Sequence, residues 1–173
     1  MKTSTKKKIK NAGKNFMLEL LQTINDLAQI FPRPFETKFM HIQRIRRYFS
    51  SIPPKRISQG IIRLKRRDLI KENKKNKSIE LTLSGKQKLL AYKLKSLKEP
   101  SFEGLSTIVI FDIPEKKSKH RMYLRRLLLK NDFINIQKSV LISHFELPKE
   151  FYELIKDLEL EQNVKVIKGK IKF

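Results

Sequence analysis

The sequence predicts an α+β chain with two domains: a helical first half that ends in a β-hairpin, and a second half in which strands and helices alternate. Apolar residues recur at helical spacing up to about residue 67, and short alternating strands follow. A segment with Pro100 and Gly104 separates the halves. Charge divides the chain at the same place, because residues 1–100 contain 26 Lys and Arg against 7 Asp and Glu, whereas the remaining 73 contain 14 against 10.

We divide the chain into four segments on these patterns. A basic arm covers residues 1–14, an N-terminal domain covers 15–97, a linker covers 98–104 and a C-terminal domain covers 105–173. A chain of 173 residues is long enough for two small domains, each with its own apolar core.

Two amphipathic helices open the N-terminal domain. The first begins at Phe16 and ends before Pro32, since proline cannot continue the helix. The second begins near Glu36, and its apolar face is predicted to contain Phe39, Ile42, Ile45 and Phe49.

The third helix, 54–67, has two chemically different faces. Its apolar side contains Ile57, Ile61 and Leu64. At about 100° per residue the opposite side consists of hydrogen-bond donors, namely Lys55, Gln59, Arg63 and Arg66. Seven of the 11 arginines lie between Arg44 and Arg67. Guanidinium groups suit phosphate oxygens and guanine edges, so this helix is typical of nucleic-acid binding.

A β-hairpin with a basic tip follows the third helix. A short strand near 69–70 leads into a tip at 72–77, and an alternating strand covers 79–83. A further helix is predicted from Lys86 to Leu97, with Ser84 as its N-cap. Helix, helix, basic helix and basic hairpin form the order of a winged helix-turn-helix.

Double-stranded DNA is the predicted partner of this domain. A helix about 10–12 Å across fits a major groove about 12 Å wide. The residues predicted to read bases are Lys55, Ser58, Gln59 and Arg63. The residues predicted to contact phosphates are Arg44, Arg47, Arg56, Arg66, Lys74, Lys75 and Lys77. The alternatives are RNA, which basic charge does not distinguish from DNA, and a solvated Lys-rich surface.

The C-terminal domain alternates strands and helices. The patterns predict a strand at 105–111, a helix at 116–131, a β-rich stretch at 133–145, a helix beginning at Pro148 and a strand at 164–167. Strand, helix, two strands, helix and strand make up a ferredoxin-like α/β sandwich.

Two short motifs of this domain carry a resemblance. Ile110 to Pro114, which reads IFDIP, precedes a basic helix with Arg121, and Gln137 to Val140 reads QKSV. Together they resemble the Cas2 fold and the Cas2-like central domain of PaaX-type transcriptional repressors. A winged helix directly before that domain is the PaaX arrangement, and the resemblance covers about residues 16–170. It implies a homodimer built through the Cas2-like domains.

The sequence departs from the PaaX pattern in two respects. Leu141 stands where the pattern usually has an aromatic residue, and the chain stops at Phe173, without the C-terminal region of longer PaaX-type proteins. We therefore do not carry over the binding of a phenylacetyl-CoA effector. A short relative would repress without that ligand or respond to another.

The leading interpretation is a dimeric, sequence-specific DNA-binding regulator, a repressor by resemblance. The alternative is a Cas2-like component of CRISPR adaptation, either a nuclease or a dimer that bridges integrase subunits. The resemblance to Cas2-like nucleases implies that an acidic residue at the end of the first strand, here Asp112, would be catalytic and would bind Mg²⁺ together with its counterpart in the partner subunit. In the structural interpretation, Asp112 caps the following helix or shapes the strand-to-helix turn.

Composition excludes several other classes of site. The chain contains no cysteine, so disulfides and thiolate metal sites are excluded and a cytoplasmic location is expected. Apolar stretches are too short for a membrane helix, and no membrane partner is expected. His41, His120 and His144 lack metal-ligand spacing, and the basic surroundings of the first two predict surface residues. No cofactor is expected, with Mg²⁺ required only by the nuclease alternative.

Overall fold

The computed structural model describes residues 15–28, 38–73, 78–96 and 105–170. The chain divides into two compact units, residues 1–89 and 90–173. The α+β class is confirmed, with a helical N-terminal region and a C-terminal antiparallel sheet covered by helices. The predicted arm at 1–14, the predicted linker at 98–104 and the hairpin tip with Lys74, Lys75 and Lys77 lie outside the described residues.

The first unit follows the predicted order of three helices, a hairpin and a helix. Its elements are α1 (15–28), α2 (Lys38–Tyr48), α3 (Pro54–Arg66), β1 (Ile70–Glu72), β2 (Ile79–Leu81) and α4 (Leu83–Ser96), the last of which continues into the second unit. Strands β1 and β2 pair in antiparallel register, with Ile70 opposite Leu81.

Close packing between α1 and α3 forms part of the core of the first unit. Ile57 and Leu64 of α3 are 0% and 1% exposed. A Cβ atom on Gly60, which lies between them on the same face, would come within 2.7 Å of Leu20 and 3.2 Å of Phe16. Glycine at this position therefore lets the α3 backbone approach α1 closely.

The apolar face predicted for α2 is wrong at one position. Phe39 is 68% exposed, whereas His41 is 1% exposed, so the prediction of His41 as a surface residue is also wrong. The backbone N–H of Ile79 donates to Nδ1 of His41 at 3.4 Å. Burial of the imidazole is tolerated because one of its nitrogens accepts this hydrogen bond from the first residue of β2.

Helix α4 begins three residues earlier than predicted, and its cap is Thr82 rather than Ser84. The N–H of Gly85 donates to the Thr82 hydroxyl at 3.1 Å, which is the bond expected of an N-cap. The Thr82 N–H donates to the Leu69 carbonyl at 3.1 Å. A Cβ on Gly85 would lie 2.0 Å from that same carbonyl oxygen, so this contact requires glycine.

The second unit has the order of elements predicted for a ferredoxin-like sandwich. Its elements are β3 (Ser106–Phe111), a 3₁₀ turn (Glu115–Lys117), α5 (Ser118–Leu129), β4 (Ile134–Gln137), β5 (Val140–Ser143), α6 (Lys149–Asp157) and β6 (Val164–Gly169). The strands form one sheet in the order β4-β5-β3-β6, in which all neighbours are antiparallel.

One face of this sheet is covered by helices. Val109, Phe111 and Leu141 point to this side and join a core with α5, α6 and the last turns of α4. Within this unit Lys93 of α4 lies 2.7 Å from the carboxylate of Glu150, which is 4% exposed. The ion pair stabilises an acidic side chain that would be costly to bury alone.

The opposite face of the sheet carries a row of four isoleucines, which we call the isoleucine row. Ile134 of β4 pairs with Ile142 of β5, which pairs with Ile108 of β3, which pairs with Ile167 of β6. Directly opposed residues share a face, so the row crosses all four strands. Ile134 and Ile167, at its two ends, are 66% and 47% exposed.

The edge strand β4 contains an irregularity. Its pairing with β5 shifts register between Asn135 and Gln137, which leaves Ile136 as the extra residue of a β-bulge. All four residues of β4 are exposed.

Three helices end in an acidic residue with a positive φ. Asp68 follows α3, Asp132 follows α5 and Glu159 follows α6, with φ of 53°, 62° and 52°. In each case the N–H of the next residue donates to the carbonyl five positions back, as Leu160 does to Ile155 at 3.0 Å. This bond is the longer one of the Schellman motif, in which the left-handed position usually holds glycine.

The contact of Gly85 with the Leu69 carbonyl predicts that Gly85→Ala destabilises the first unit. We expect a loss of about 1–3 kcal/mol in the free energy of unfolding, because a backbone oxygen has to move. Urea unfolding followed by circular dichroism measures the change. Gly169→Ala is the matched control, since a Cβ there meets nothing within 4 Å. Equal stability of the two variants would contradict the prediction.

The left-handed conformation of Asp132 predicts that Asp132→Gly stabilises the second unit. Removing Cβ relieves a steric cost of about 1 kcal/mol. The substitution also removes a negative charge from the C-terminus of α5, where the helix dipole is itself negative. Asp132→Ala should lower stability instead, because it keeps Cβ and loses the short polar side chain that tolerates this region. Thermal and urea unfolding of the intact chain compare the two, and the opposite ranking would overturn the argument.

Candidate nucleic-acid interface

The buried stripe of α3 determines which of its side chains face solvent. Ile57, Gly60 and Leu64 are buried. At about 100° per residue, the side of the helix opposite this stripe is centred between Lys55 and Ile62. Lys55, Gln59, Arg63 and Arg66, which the sequence predicts on the outer face, are all exposed.

The cations of this region are concentrated and unpaired. Residues 54–67 contain six Lys and Arg and no acidic residue. All six are exposed, and within the described part of the chain none of them forms an ion pair. Like charges three or four residues apart on a helix repel one another, and a polyanion would relieve that repulsion.

Ser58 and Arg44 differ from the other candidates, since both take part in packing. Ser58 is half-buried, and its hydroxyl accepts a hydrogen bond from Arg46 of α2 at 3.2 Å. Arg44 is half-buried as well, and its guanidinium donates to the Leu27 carbonyl at 3.3 Å. These two polar side chains therefore link α2 to α3 and to α1.

Arg47 and Arg56 are the other candidates for phosphate contact within the described residues, and both are exposed. The Arg56 guanidinium lies 5.0 Å from the centre of the Phe16 ring, a cation–π distance that orients it at the start of α3. Lys74, Lys75 and Lys77 stay predictions, because the hairpin tip is outside the described residues.

Ile62 is the residue of this face that the sequence analysis missed. It is 51% exposed and lies among the exposed cations of α3. The signal was present in the helical spacing, since Ile62 follows Gln59 by three residues and Lys55 by seven. Hydrogen-bond donors alone do not define this side of the helix, because an apolar residue lies among them.

Asp112 lies on the exposed turn after β3. Its backbone is held by Asn163: the Asp112 N–H donates to the Asn163 carbonyl, and the Asn163 side-chain amide donates to the Asp112 carbonyl, both at 2.8 Å. The next two helical segments have Pro114 and Lys117 at their N-caps, without a side-chain cap bond, so capping by Asp112 is wrong. Its backbone bonds fit the alternative role in shaping the turn.

Metal binding at Asp112 would depend on a second copy of the chain. The nearby Glu115 carboxylate is occupied by the Arg121 guanidinium at 2.8 Å. Across the described residues, no group of three His, Asp or Glu side chains could hold a metal ion. The Mg²⁺ site and the nuclease therefore stay hypotheses that require Asp112 of a partner subunit.

Among the residues that the structure describes, every helix is too short or too polar to cross a bilayer.

Comparison with known families identifies the second half of the chain. Residues 101–172 match the family model of the PaaX protein central Cas2-like domain. No curated protein and no solved structure matches the chain significantly. The matched range contains the whole four-stranded sheet and the helices α5 and α6. The resemblance drawn from the IFDIP and QKSV motifs is thereby confirmed for residues 101–172, which are similar to the central Cas2-like domain of PaaX proteins.

Proposed function

We propose that this chain is a dimeric, sequence-specific DNA-binding regulator of PaaX type, and that it acts as a repressor. The family match supports a PaaX-type regulator in general terms. The observation that carries the more specific proposal is the charge of α3 and its C-cap Arg67, where six exposed cations occur without an acidic residue between positions 54 and 67.

In this proposal α3 enters the major groove of double-stranded DNA. Lys55, Gln59 and Arg63 are exposed and in this proposal meet base edges, with arginine suited to guanine and glutamine to adenine. Arg47, Arg56 and Arg66 are exposed, and in this proposal they neutralise phosphates and fix the register of the helix.

The second unit would join two copies through the isoleucine row. Ile108 and Ile142 form its centre, and the exposed Ile134 and Ile167 extend it to both edges of the sheet. An apolar face of this kind is covered favourably by an identical face, since a two-fold contact uses the same patch on both subunits. Two α3 helices in one dimer would favour an inverted repeat whose half-sites are about 34 Å apart or a multiple of that.

Repression follows from occupancy in this proposal, because a dimer bound across a promoter excludes the polymerase. Neither a metal ion nor a small-molecule effector is needed for that step. The proposal therefore predicts binding in buffer that contains only protein, DNA and salt.

Binding to the DNA upstream of the chain's own gene, measured by fluorescence anisotropy at several salt concentrations, tests the role of α3. The logarithm of the affinity should fall with the logarithm of salt by about 0.9 per neutralised phosphate. Arg66→Ala leaves one phosphate without its cation and should reduce that slope by about one, whereas Arg63→Ala should reduce discrimination between sequences. Lys95→Ala, an exposed cation of α4, is the control and should leave both unchanged.

A salt-independent affinity, or no affinity for any DNA, would refute DNA binding by α3. Equal losses in Arg66→Ala and Lys95→Ala would show that binding depends on total charge and not on the α3 face.

Sedimentation equilibrium tests the role of the isoleucine row. The wild-type chain should be a dimer at micromolar concentration, and the double variant Ile134→Glu, Ile167→Glu should be a monomer, because two charges would enter an apolar contact. Both positions are exposed, so the fold of the single chain should tolerate the change. Met122→Glu, which replaces an exposed apolar residue of α5, should stay dimeric. A monomeric wild type, or a dimeric double variant, would contradict the assigned interface.

A further inference from the structure

Ile62 is chemically out of place on the surface of α3. Its side chain is 51% exposed. The other exposed residues of α3 after the initial proline are Lys55, Arg56, Gln59, Arg63, Lys65 and Arg66. An aliphatic side chain in this position exposes apolar surface to water, which is unfavourable. Its branched Cβ also lowers its helix propensity, so local helix stability does not explain it.

The position of Ile62 around the helix axis points directly away from the core. It is five residues from Ile57 and two from Gly60 and Leu64, which places it about 140–160° from each of these three buried residues. Ile61, the neighbouring isoleucine, lies toward the core and packs against it. Ile62 therefore does not contribute to the packing of α3 on α1.

The neighbours of Ile62 define what its side chain can meet. Gln59 lies three residues before it and Arg66 four residues after it, so both flank it on the same face. Any surface that these donors reach with their polar ends presents hydrogen-bond acceptors around the isoleucine. Phosphates and base acceptors offer an aliphatic side chain no favourable contact. The surface that Ile62 contacts should therefore have an apolar group between its hydrogen-bond acceptors.

We propose that Ile62 contacts the C5-methyl group of a thymine in the major groove and makes the regulator prefer thymine at one position of each half-site. The inference rests on the proposed DNA binding by α3. In the major groove the thymine methyl is the apolar group that distinguishes one base from the others. Flanking contacts from Gln59 and Arg66 would hold the isoleucine against that base pair.

The contact adds selectivity of a kind that the donors on α3 cannot supply. Arginine and glutamine identify guanine and adenine by hydrogen bonds, whereas thymine offers them a single acceptor. A methyl contact discriminates thymine from cytosine at the same place. Ile62 is thus a specificity-determining residue, and the affinity for phosphates does not depend on it.

Replacement of thymine by uracil in the preferred DNA tests this contact, because uracil keeps the Watson–Crick pairing and lacks only the methyl group. The preferred sequence is first selected from a random library with the wild-type chain. Each thymine is then replaced in turn, and affinity is measured. One position in each half-site should lose about fourfold in affinity, the value expected for one buried methyl group.

Ile62→Ala is the diagnostic variant, since it truncates the side chain at an exposed position and should leave the fold intact. Its affinity for the thymine and uracil forms of that position should be equal. Phe39→Ala, which truncates another exposed apolar residue of the same unit, should retain the fourfold difference. Ile62→Val should retain most of it, because one branch of the side chain is conserved.

The outcomes separate this inference from the proposed function. If the wild-type chain selects no DNA sequence, the proposed function fails and the methyl contact fails with it. If the chain binds a selected sequence but tolerates uracil everywhere, DNA binding stands and the role of Ile62 is overturned. The same conclusion follows if Ile62→Ala keeps the uracil penalty.

Discussion

The close approach of α3 to α1 is the constraint on which the proposed reading surface depends. Gly60 removes the Cβ that would collide with Leu20, and Ile57 and Leu64 on either side of it are fully buried. Once this stripe is packed, the helix has one rotational setting. The cations on the outer face then have defined directions because the core behind them is tightly packed. The same holds for Ile62, which lies between them.

The fold was largely predictable because its main elements depend on local periodicity. Ile57 and Leu64, seven residues apart, mark the inner side of α3, and the order of strands and helices after residue 105 indicates the ferredoxin-like sheet. The errors occur where a residue far away in the sequence determines the burial or the capping of a side chain. His41 is buried because Ile79, 38 positions away, donates to it. Thr82 caps α4 because the Leu69 carbonyl holds its backbone.

The candidate interface was predictable in its charge and incompletely in its chemistry. Exposure of Lys55, Gln59 and Arg63 follows from one helical period. The internal bonds of Ser58 and Arg44 do not, since they depend on how α2 packs against its neighbours. The sequence allows several hydrogen-bond partners for each of these side chains, and packing in three dimensions selects one.

The bulge at Ile136 bears on the proposed association between copies of this chain. An uncharged edge strand with exposed isoleucines can pair with a strand of another chain. Repeated pairing of this kind produces fibrils. The register shift between Asn135 and Gln137 interrupts the ladder of N–H and carbonyl groups along that edge. In the proposed assembly, contact through the sheet face closes after two copies, while the irregular edge resists open-ended growth.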